Sequence, residues 1–560
     1  MAGLASKKTK PERKCYGKFS SIEALKAATS AHISGEIKDA ELLYKQVIKM
    51  SGMDSVAFAN LGVIYKQKVQ LDKALSATLK AIEIEPGNAG IHMNLGSILQ
   101  DQGKLKQALS ATLKAIELQP DYSEAHKNLG GILKDQGELD QALNSTLKAI
   151  ELKPDNVDAY INLGFIFLER GQLDKAHAEI SKAIELNPDD AVAHIMLGRI
   201  EEANGNLCKT KQLYSRSIEI NPHQGWAYFE ISKNLLSAEE AISILELIDG
   251  LSEAQFLPNE KMLLAFASSN CHHRLNEFSK SAINLSVAND IKLMLRASEK
   301  NSHISSTERM LKPGEYHCAT SSTCGKGRIF IVGMPRCGST LVESILSVNS
   351  LAVDLGETKA LSKAIIKIRT NENTSPCCTL EEFYLDQLKI SSEIPEISLD
   401  KQLYNYMNSG IIARSMPAAR IIHCRRNPLD NILSMFRANL TNGNNYTSSL
   451  EDSAEVLISQ EQAMKHFKHL FPSSIYTLSY ESLVNDPHHE IRRLLAWLEW
   501  DWNDDYLEPH KSSRSINTAS VIQARKPINN KSVGGWKNYA EMLEPARRLL
   551  VDSGLFANDI

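Results

Sequence analysis

Small, apolar and helix-ending residues recur with one fixed period through the first part of the chain. Prolines stand 34 residues apart, and the glycines of successive Leu-Gly pairs, a set of turn glycines and a set of alanines keep the same spacing. The positions are Pro86, Pro120, Pro154, Pro188 and Pro222; Gly62, Gly96, Gly130, Gly164 and Gly198; Gly35, Gly103, Gly137, Gly171 and Gly205, with Val69 in one irregular slot; and Ala40, Ala74, Ala108, Ala142 and Ala176. This pattern predicts helix pairs, because glycine and alanine let two helices approach closely and proline ends the second helix.

On these positions the array resembles the tetratricopeptide repeat, which implies an all-α superhelix with a concave groove. An asparagine precedes Leu-Gly in four successive repeats, at Asn60, Asn94, Asn128 and Asn162, and Met196 interrupts the series. An amide offers both a donor and an acceptor, so a ladder of asparagines in the groove would bind the backbone of an extended peptide. The alternative is that asparagine is simply the common residue of the repeat.

The period fades after about Trp226, although the residues up to Lys312 still favour helices. Turn-forming residues then gather at Pro313-Gly314 and between Ser321 and Gly327. We therefore divide the chain into a disordered basic tail (1–17), tetratricopeptide repeats (18–230), a helical extension with degenerate repeats and a linker (231–324), and a second domain (325–560).

Buried strands alternate with helices in this second domain. A β-branched run, Ile329 to Val332, stops at Gly333, and Ser339-Thr340 opens an apolar helix after a short loop. Further strands are predicted at 419–425 and 475–479, and Asn427-Pro428 begins another helix. This alternation predicts a P-loop-like α/β domain with a mostly parallel sheet and ligands at the carboxyl ends of its strands.

Two strand ends carry residues suited to bind anions. Gly333 and Gly338 have the spacing of a phosphate-binding loop, but Ser339 stands where a nucleotide triphosphatase has its lysine. At the second strand end, Arg426 is followed eight residues later by Ser434, and a guanidinium and a hydroxyl can bind a phosphate together. Two such sites fit a nucleotide phosphorylated at both its 3′ and 5′ positions.

The loop Pro335-Arg-Cys-Gly-Ser-Thr340 resembles the 5′-phosphosulfate loop of sulfotransferases, and Arg426 to Ser434 resembles their 3′-phosphate motif. The domain is most similar to the tyrosylprotein sulfotransferase branch. The resemblance implies 3′-phosphoadenosine 5′-phosphosulfate as co-substrate, no metal, and transfer of a sulfuryl group to a hydroxyl, with protein or peptide tyrosine as the favoured acceptor. It also implies roles for particular residues: Arg336, Gly338, Ser339 and Thr340 around the phosphosulfate; Arg426 and Ser434 at the 3′-phosphate; Tyr480 and Trp536 at the nucleotide; and Glu357 as general base, with Lys401, Arg336 and Ser520 as further catalytic residues.

One departure from the resemblance concerns donor binding. The family carries a basic residue immediately before the tryptophan, whereas this chain has Gly535, with Lys531 and Lys537 nearby. Two alternative functions stay open: a sulfotransferase acting on a small molecule or carbohydrate hydroxyl, and a non-catalytic repeat scaffold that senses a nucleotide.

Composition and charge restrict the expected partners and cellular location but do not change the predicted fold or function. Hydrophobic residues make up 43% and charged residues 23% of the 560 positions, and the net charge of −4 gives no reason to expect a nucleic-acid partner. No stretch approaches the ~20 apolar residues needed to span a bilayer, and no apolar segment of a secretory signal follows the basic residues 7–14. Nine scattered cysteines favour a reducing cytoplasm. We expect a peptide or protein acceptor as partner and leave a homodimer open.

Overall fold

The 34-residue period of the first half corresponds to pairs of α-helices. The computed structural model describes residues 20–235, 237–251, 256–311, 321–370, 380–388, 395–440, 443–511, 526–557 and 559. The chain divides into two units, Met1–Ile166 and Phe167–Ile560. The helices of the first unit are α1 Ser21–Ile33, α2 Ile37–Ser51, α3 Ser55–Gln67, α4 Leu71–Ile84, α5 Ala89–Asp101, α6 Leu105–Leu118, α7 Ser123–Gln136 and α8 Leu139–Leu152, and α9 Val157–Glu169 crosses the boundary between the units. These helices confirm the predicted repeat array; the four domain bounds stay a prediction.

The periodic glycines lie where the two helices of a repeat touch. A Cβ at these positions would stand 2.2 to 2.3 Å from a threonine hydroxyl oxygen of the second helix, the pairs being Gly62 with Thr78, Gly96 with Thr112 and Gly130 with Thr146. The periodic alanines Ala74, Ala108 and Ala142 are fully buried in the same contacts. Because no larger side chain fits there, the spacing of the helices accounts for the spacing in the sequence.

Val69 is the exception among the residues that turn the chain between the helices of a pair. Its φ is 55°, while the glycines in the corresponding turns of the first unit, Gly35, Gly103 and Gly137, have φ values of 76°, 72° and 76°. A β-branched residue is strained in this left-handed region, which glycine adopts freely.

We expect Val69→Gly to stabilise the repeat array. Relief of the left-handed strain should outweigh the greater freedom of glycine in the unfolded chain, leaving a gain of roughly 0.5–1 kcal/mol. Thermal unfolding of the full chain, followed through its helical signal, measures the change. The reciprocal substitution Gly103→Val serves as control and should destabilise the array; a lower midpoint for Val69→Gly would contradict the interpretation.

The second unit begins with further helix pairs. The helices are α10 Leu173–Leu186, α11 Ala191–Ala203, α12 Leu207–Ile220, α13 Gly225–Lys233, α14 Ala238–Asp249, α15 Pro258–Arg274, α16 Phe278–Leu295 and α17 Lys300–Leu311. The first three continue the period, and the others form the region in which the sequence period fades. Among the described helices, none has both the length and the apolar composition that crossing a bilayer requires.

A five-stranded sheet forms the centre of the second domain. Its strands are β1 Arg328–Gly333, β2 Ala352–Asp354, β3 Ile397–Asp400, β4 Arg420–Arg425 and β5 Ile475–Ser479, in the order β2-β3-β1-β4-β5. Every neighbouring pair is parallel. The helices are α18 Ser339–Leu346, α19 Ala360–Thr370, α20 Leu380–Gln387, α21 Ser409–Ser415, α22 Pro428–Arg437, α23 Leu450–Leu470, α24 Tyr480–Asn485, α25 Pro487–Leu498 and α26 Ala540–Asp552. The predicted α/β fold with a parallel sheet is confirmed.

Strand β1 is buried on both faces. Phe330 and Val332 pack into the core on one side of the sheet, and Ile329 and Ile331 pack into the core on the other. This explains why the strand is a continuous apolar run rather than an alternating one. Because β1 lies between β3 and β4, the chain leaves its carboxyl end at a point where open α/β sheets bind ligands.

Candidate active site

The loop after β1 is held in a constrained conformation. Gly338, which precedes α18, has a φ of +96°, and a Cβ there would stand 2.5 Å from the ring of Tyr480. Arg336 also has a positive φ, 67°. Ser339 and Thr340 are buried in the first turn of α18. The first turn of a helix presents backbone N–H groups and partial positive charge, so this end of the loop is suited to an anion.

The two predicted anion-binding segments are in contact with each other. Arg336 Nε donates to Ser434 Oγ at 3.1 Å, and Arg426 Nη1 donates to the carbonyl oxygen of Arg336 at 3.1 Å. Burial, together with the positive charges of Arg426 and Arg437, lowers the pKa of Arg336 to about 10. The carboxyl ends of β1 and β4 therefore carry one continuous electropositive cluster.

Neighbouring Arg425 and Arg426 have opposite environments. Arg425 lies 3.1 Å from Glu461 Oε1 and 2.6 Å from Asp559 Oδ2, so two carboxylates balance its charge. Arg426 donates to the carbonyl oxygen of Ser532 and stacks 4.8 Å from the centre of the Tyr480 ring. Within the described ranges it has no ion pair, and its buried Nε makes no hydrogen bond. A partly buried guanidinium without a carboxylate partner among the described residues fits an anionic ligand, whereas the charge of Arg425 is already paired.

Tyr480 and the segment before α26 close one side of this cluster. Tyr480 Oη lies 2.8 Å from Ser532 Oγ. The Asp430 carboxylate accepts from the backbone N–H groups of Gly534, at 2.6 Å, and Trp536, at 2.8 Å. The Trp536 side chain packs against the main core of the domain. Sequence reasoning missed Asp430, although an acidic residue in the first turn of a helix beside an arginine was a usable signal.

Lys401 and Glu357 lie together at the end of β3. Lys401 Nζ is 3.5 Å from Glu357 Oε1 and 3.4 Å from Glu343 Oε2. The side chains of Lys401 and Glu343 are 2% and 3% exposed, whereas that of Glu357 is 56% exposed. A buried ammonium needs a charged partner, which Glu343 supplies from α18, while Glu357 faces solvent. Sequence reasoning missed Glu343, whose signal was one acidic residue inside an apolar helix.

The turn that carries Lys401 is anchored by its buried neighbour Asp400. Tyr384 Oη donates to Asp400 Oδ2 at 3.1 Å, and the backbone N–H of Gln402 donates to Oδ1 at 3.0 Å. Burial raises the pKa of Asp400 to about 7. Two donors on one buried carboxyl fix the start of the loop, and with it the direction in which Lys401 leaves the strand.

The other predicted residues lie elsewhere or outside the described ranges. Ser520 falls in 512–525, which the structure does not describe. The four repeat asparagines are half-buried in the first unit. Asn60 Nδ2 donates to Tyr44 Oη at 3.0 Å, and Asn128 Nδ2 donates to Thr112 Oγ1 at 3.3 Å, so these two amides already bond across helices.

Within the described part of the chain, no group of three or more acidic, cysteine or histidine side chains is arranged to hold a metal ion.

Comparison with known families finds a match in each of the two parts of the chain. Residues 378–504 match a model described as the sulfotransferase family. Residues 56–88, 89–122 and 157–190 match models of the tetratricopeptide repeat, and residues 130–169 match a further repeat model. The chain therefore carries tetratricopeptide repeats followed by a sulfotransferase-family domain.

Individual relatives cover only parts of the chain. An uncharacterized protein of Aquifex aeolicus (strain VF5) is 33% identical over 246 residues, which is 40% of this chain and 32% of that protein. The chain thus matches about a third of that curated relative's length. A thermophilic repeat protein of Thermus thermophilus is 23% identical, with a TM-score of 0.30 over 32% of this chain and 98% of its own. A repeat protein of Parabacteroides merdae is 18% identical, with a TM-score of 0.33 over 42% and 93%.

Proposed function

We propose that the second domain transfers a sulfuryl group from 3′-phosphoadenosine 5′-phosphosulfate to a hydroxyl group, with a tyrosine of a peptide or protein as the favoured acceptor. One observation carries this proposal: three adjacent strands, β3, β1 and β4, each end in a different part of the required chemistry. Lys401 follows β3 and meets Glu357 from the segment after β2, the loop with Arg336 and Gly338 follows β1, and Arg426 follows β4. Ligands of parallel sheets bind at this edge.

The residues at the ends of β1 and β4 fit the donor nucleotide. The N–H groups at the start of α18 and the Arg336 guanidinium would hold the 5′-phosphosulfate, and Arg426 with Ser434 would hold the 3′-phosphate. Tyr480 lies between the two, against Gly338 and Arg426. The lack of a lysine at Ser339 argues against a kinase. The bound donor would supply an activated sulfuryl group that leaves the bisphosphate when the sulfur–oxygen bond breaks.

Lys401 and Glu357 have the complementary charges that the transfer needs. A tyrosine hydroxyl normally loses its proton only near pH ~10, so a carboxylate beside it assists the attack on sulfur. Glu357, which is largely exposed, can reach an incoming acceptor and take that proton. The buried ammonium of Lys401 would donate to the oxygen on which negative charge develops as the bisphosphate leaves.

The choice of a peptide as acceptor rests on the repeat array. Repeat superhelices use their concave groove to bind partners. The half-buried asparagines recur along the array at a regular spacing, and a peptide would bind to the amide atoms that the contacts of Asn60 and Asn128 across the helices do not use. A carbohydrate or small-molecule hydroxyl is the alternative acceptor. A nucleotide-sensing scaffold is disfavoured because such a protein needs no exposed carboxylate beside a buried lysine. The cytoplasmic location and the homodimer remain proposals.

Labelled donor distinguishes these functions. The purified full chain is incubated with the sulfur-labelled donor and a tyrosine-containing peptide library, and in parallel with sugars and small phenols. We expect label on peptide tyrosine in the wild type and strongly reduced labelling with Glu357→Gln. Label on small molecules alone would change the acceptor. Absence of transfer combined with tight binding of adenosine 3′,5′-bisphosphate would favour the sensor, and absence of both would overturn the proposal.

A further inference from the structure

A histidine of the helical extension contacts an arginine beside the electropositive cluster of the sulfotransferase-family domain. His273 lies near the end of α15, well before residues 378–504 that match the family. Its Nε2 is 3.1 Å from Arg437 Nη1, and its Nδ1 is 2.7 Å from Tyr539 Oη. Arg437 ends α22, three residues after Ser434. The extension thus contacts both the helix of the predicted 3′-phosphate motif and the segment that follows Trp536.

The hydrogen bonds around His273 have one consistent direction. A guanidinium only donates, so Nε2 accepts from Arg437 and Nδ1–H donates to Tyr539 Oη. The tyrosine hydroxyl then donates to Ser281 Oγ at 2.9 Å, and Ser281 Oγ donates to the carbonyl oxygen of Ser269 at 2.9 Å. Burial, reinforced by the positive charges of Arg437 and Arg274, lowers the pKa of His273 to about 3, so the imidazole is neutral.

A neutral acceptor has a consequence that a carboxylate would not have. It fixes the direction of Arg437 but leaves the positive charge of the guanidinium uncompensated. Among the described residues Arg437 has no carboxylate partner, and its buried Nε makes no hydrogen bond. The same charge contributes to lowering the pKa of Arg336. Arg437 therefore belongs to the electropositive cluster, in contrast to Arg425, which two carboxylates balance.

Two further contacts fix the backbone on either side of Arg437. Asn289 Nδ2 of α16 donates to the carbonyl oxygen of Phe436 at 2.9 Å, and Lys292 Nζ donates to that of Leu440. The His273 and Tyr539 rings are stacked, with centroids 6.0 Å apart and planes inclined by 21°. The end of α22 is thus held by side chains from both α15 and α16.

We propose that the helical extension completes the donor site, with His273 as the positioning residue that directs the charge of Arg437 toward the 3′-phosphate end of the nucleotide. This inference rests on the proposed function, because it concerns the same donor. It implies that the sulfotransferase-family domain, separated from α15 and α16, binds the nucleotide poorly even when it is folded.

The test compares two nucleotides and two adjacent histidines in the full chain. Calorimetry measures the dissociation constants of adenosine 3′,5′-bisphosphate and of adenosine 5′-monophosphate, which lacks the 3′-phosphate. We expect His273→Phe to weaken bisphosphate binding by roughly 10-fold, because a lost hydrogen bond to a charged group has an effect of this order, and to leave monophosphate binding nearly unchanged. His273→Gln, whose amide oxygen can accept from Arg437, should recover much of the loss.

His272→Phe is the matched control. His272 precedes His273 on the same helix, but its Nδ1 contacts Glu277 Oε2 at 2.7 Å, so bisphosphate affinity should not change.

Arg437→Gln should weaken bisphosphate binding as much as His273→Phe, and the double variant should be no weaker, because both changes remove one interaction. If His273→Phe does not fold, Arg437→Gln still decides the question. Unchanged bisphosphate affinity in Arg437→Gln, or in a folded His273→Phe, would overturn the inference. A wild type that binds no bisphosphate would instead overturn the proposed function, and this inference with it.

Discussion

Replacing Glu357 with glutamine is expected to lower the turnover rate by roughly 10²–10⁴-fold, the usual contribution of a general base. Glutamine keeps the shape of the side chain but cannot take the proton of an acceptor hydroxyl. Glu357 is the exposed member of the two carboxylates at Lys401, so an acceptor can reach it. The affinity for adenosine 3′,5′-bisphosphate should be unchanged, because Glu357 lies beyond the cluster of Arg336 and Arg426. Initial rates with labelled donor and calorimetry with the bisphosphate measure the two quantities.

Glu343→Gln is the control for this prediction. Glu343 is also 3.4 Å from Lys401 Nζ, but it is buried and cannot contact an acceptor. Removing one partner of a buried ion pair typically costs about 3–5 kcal/mol, so this variant should lower the unfolding midpoint. Turnover and stability together separate the two variants: Glu357→Gln should lose turnover at a nearly unchanged unfolding midpoint, whereas Glu343→Gln should lower that midpoint. A Glu357→Gln enzyme that retains wild-type turnover would show that another group accepts the proton.

Local sequence patterns were sufficient for most of the fold. The repeat helices follow from close contacts that admit only glycine or alanine, and these contacts recur at a fixed period. Strands β1, β4 and β5 were predictable because each contains β-branched and other apolar residues next to a turn or helix signal. Strands β2 and β3 were not predicted, since they are three and four residues long and β3 contains Ser398 and Asp400. Only their pairing with neighbouring strands reveals them.

The side-chain contacts of the site also could not be predicted from local sequence patterns. Each anion-binding segment was predicted from its own residues, but the contact of Arg336 with Ser434 spans 98 positions and that of His273 with Arg437 spans 164. Lys401 was predicted as a catalytic residue, but its burial depends on Glu343 from another element. Such partners cannot be inferred from spacing, because they meet only after the sheet has brought distant segments together.

Arg426→Ala should weaken the binding of adenosine 3′,5′-bisphosphate by roughly 100-fold. The substitution removes a guanidinium that has no carboxylate partner among the described residues, and hydrogen bonds between charged groups are worth about 1.5–3 kcal/mol. The loss should be much smaller for adenosine 5′-monophosphate, because Arg426 is assigned to the 3′-phosphate. Calorimetry on the full chain with both nucleotides measures the difference, and equal losses would place Arg426 at the 5′ end.

Arg425→Ala is the matched control, because it changes the adjacent arginine of the same strand end. Arg425 is held by Glu461 and Asp559. Its removal leaves Glu461, a largely buried carboxylate, without its cation, so we expect lower thermal stability and nearly unchanged bisphosphate affinity. The opposite result, with weak binding in Arg425→Ala and normal binding in Arg426→Ala, would mean that the ligand displaces the two carboxylates. That is costly, because a phosphate would have to replace two negative charges already paired with the guanidinium. The contrast between paired Arg425 and unpaired Arg426 is therefore the physical reason for assigning donor binding to Arg426.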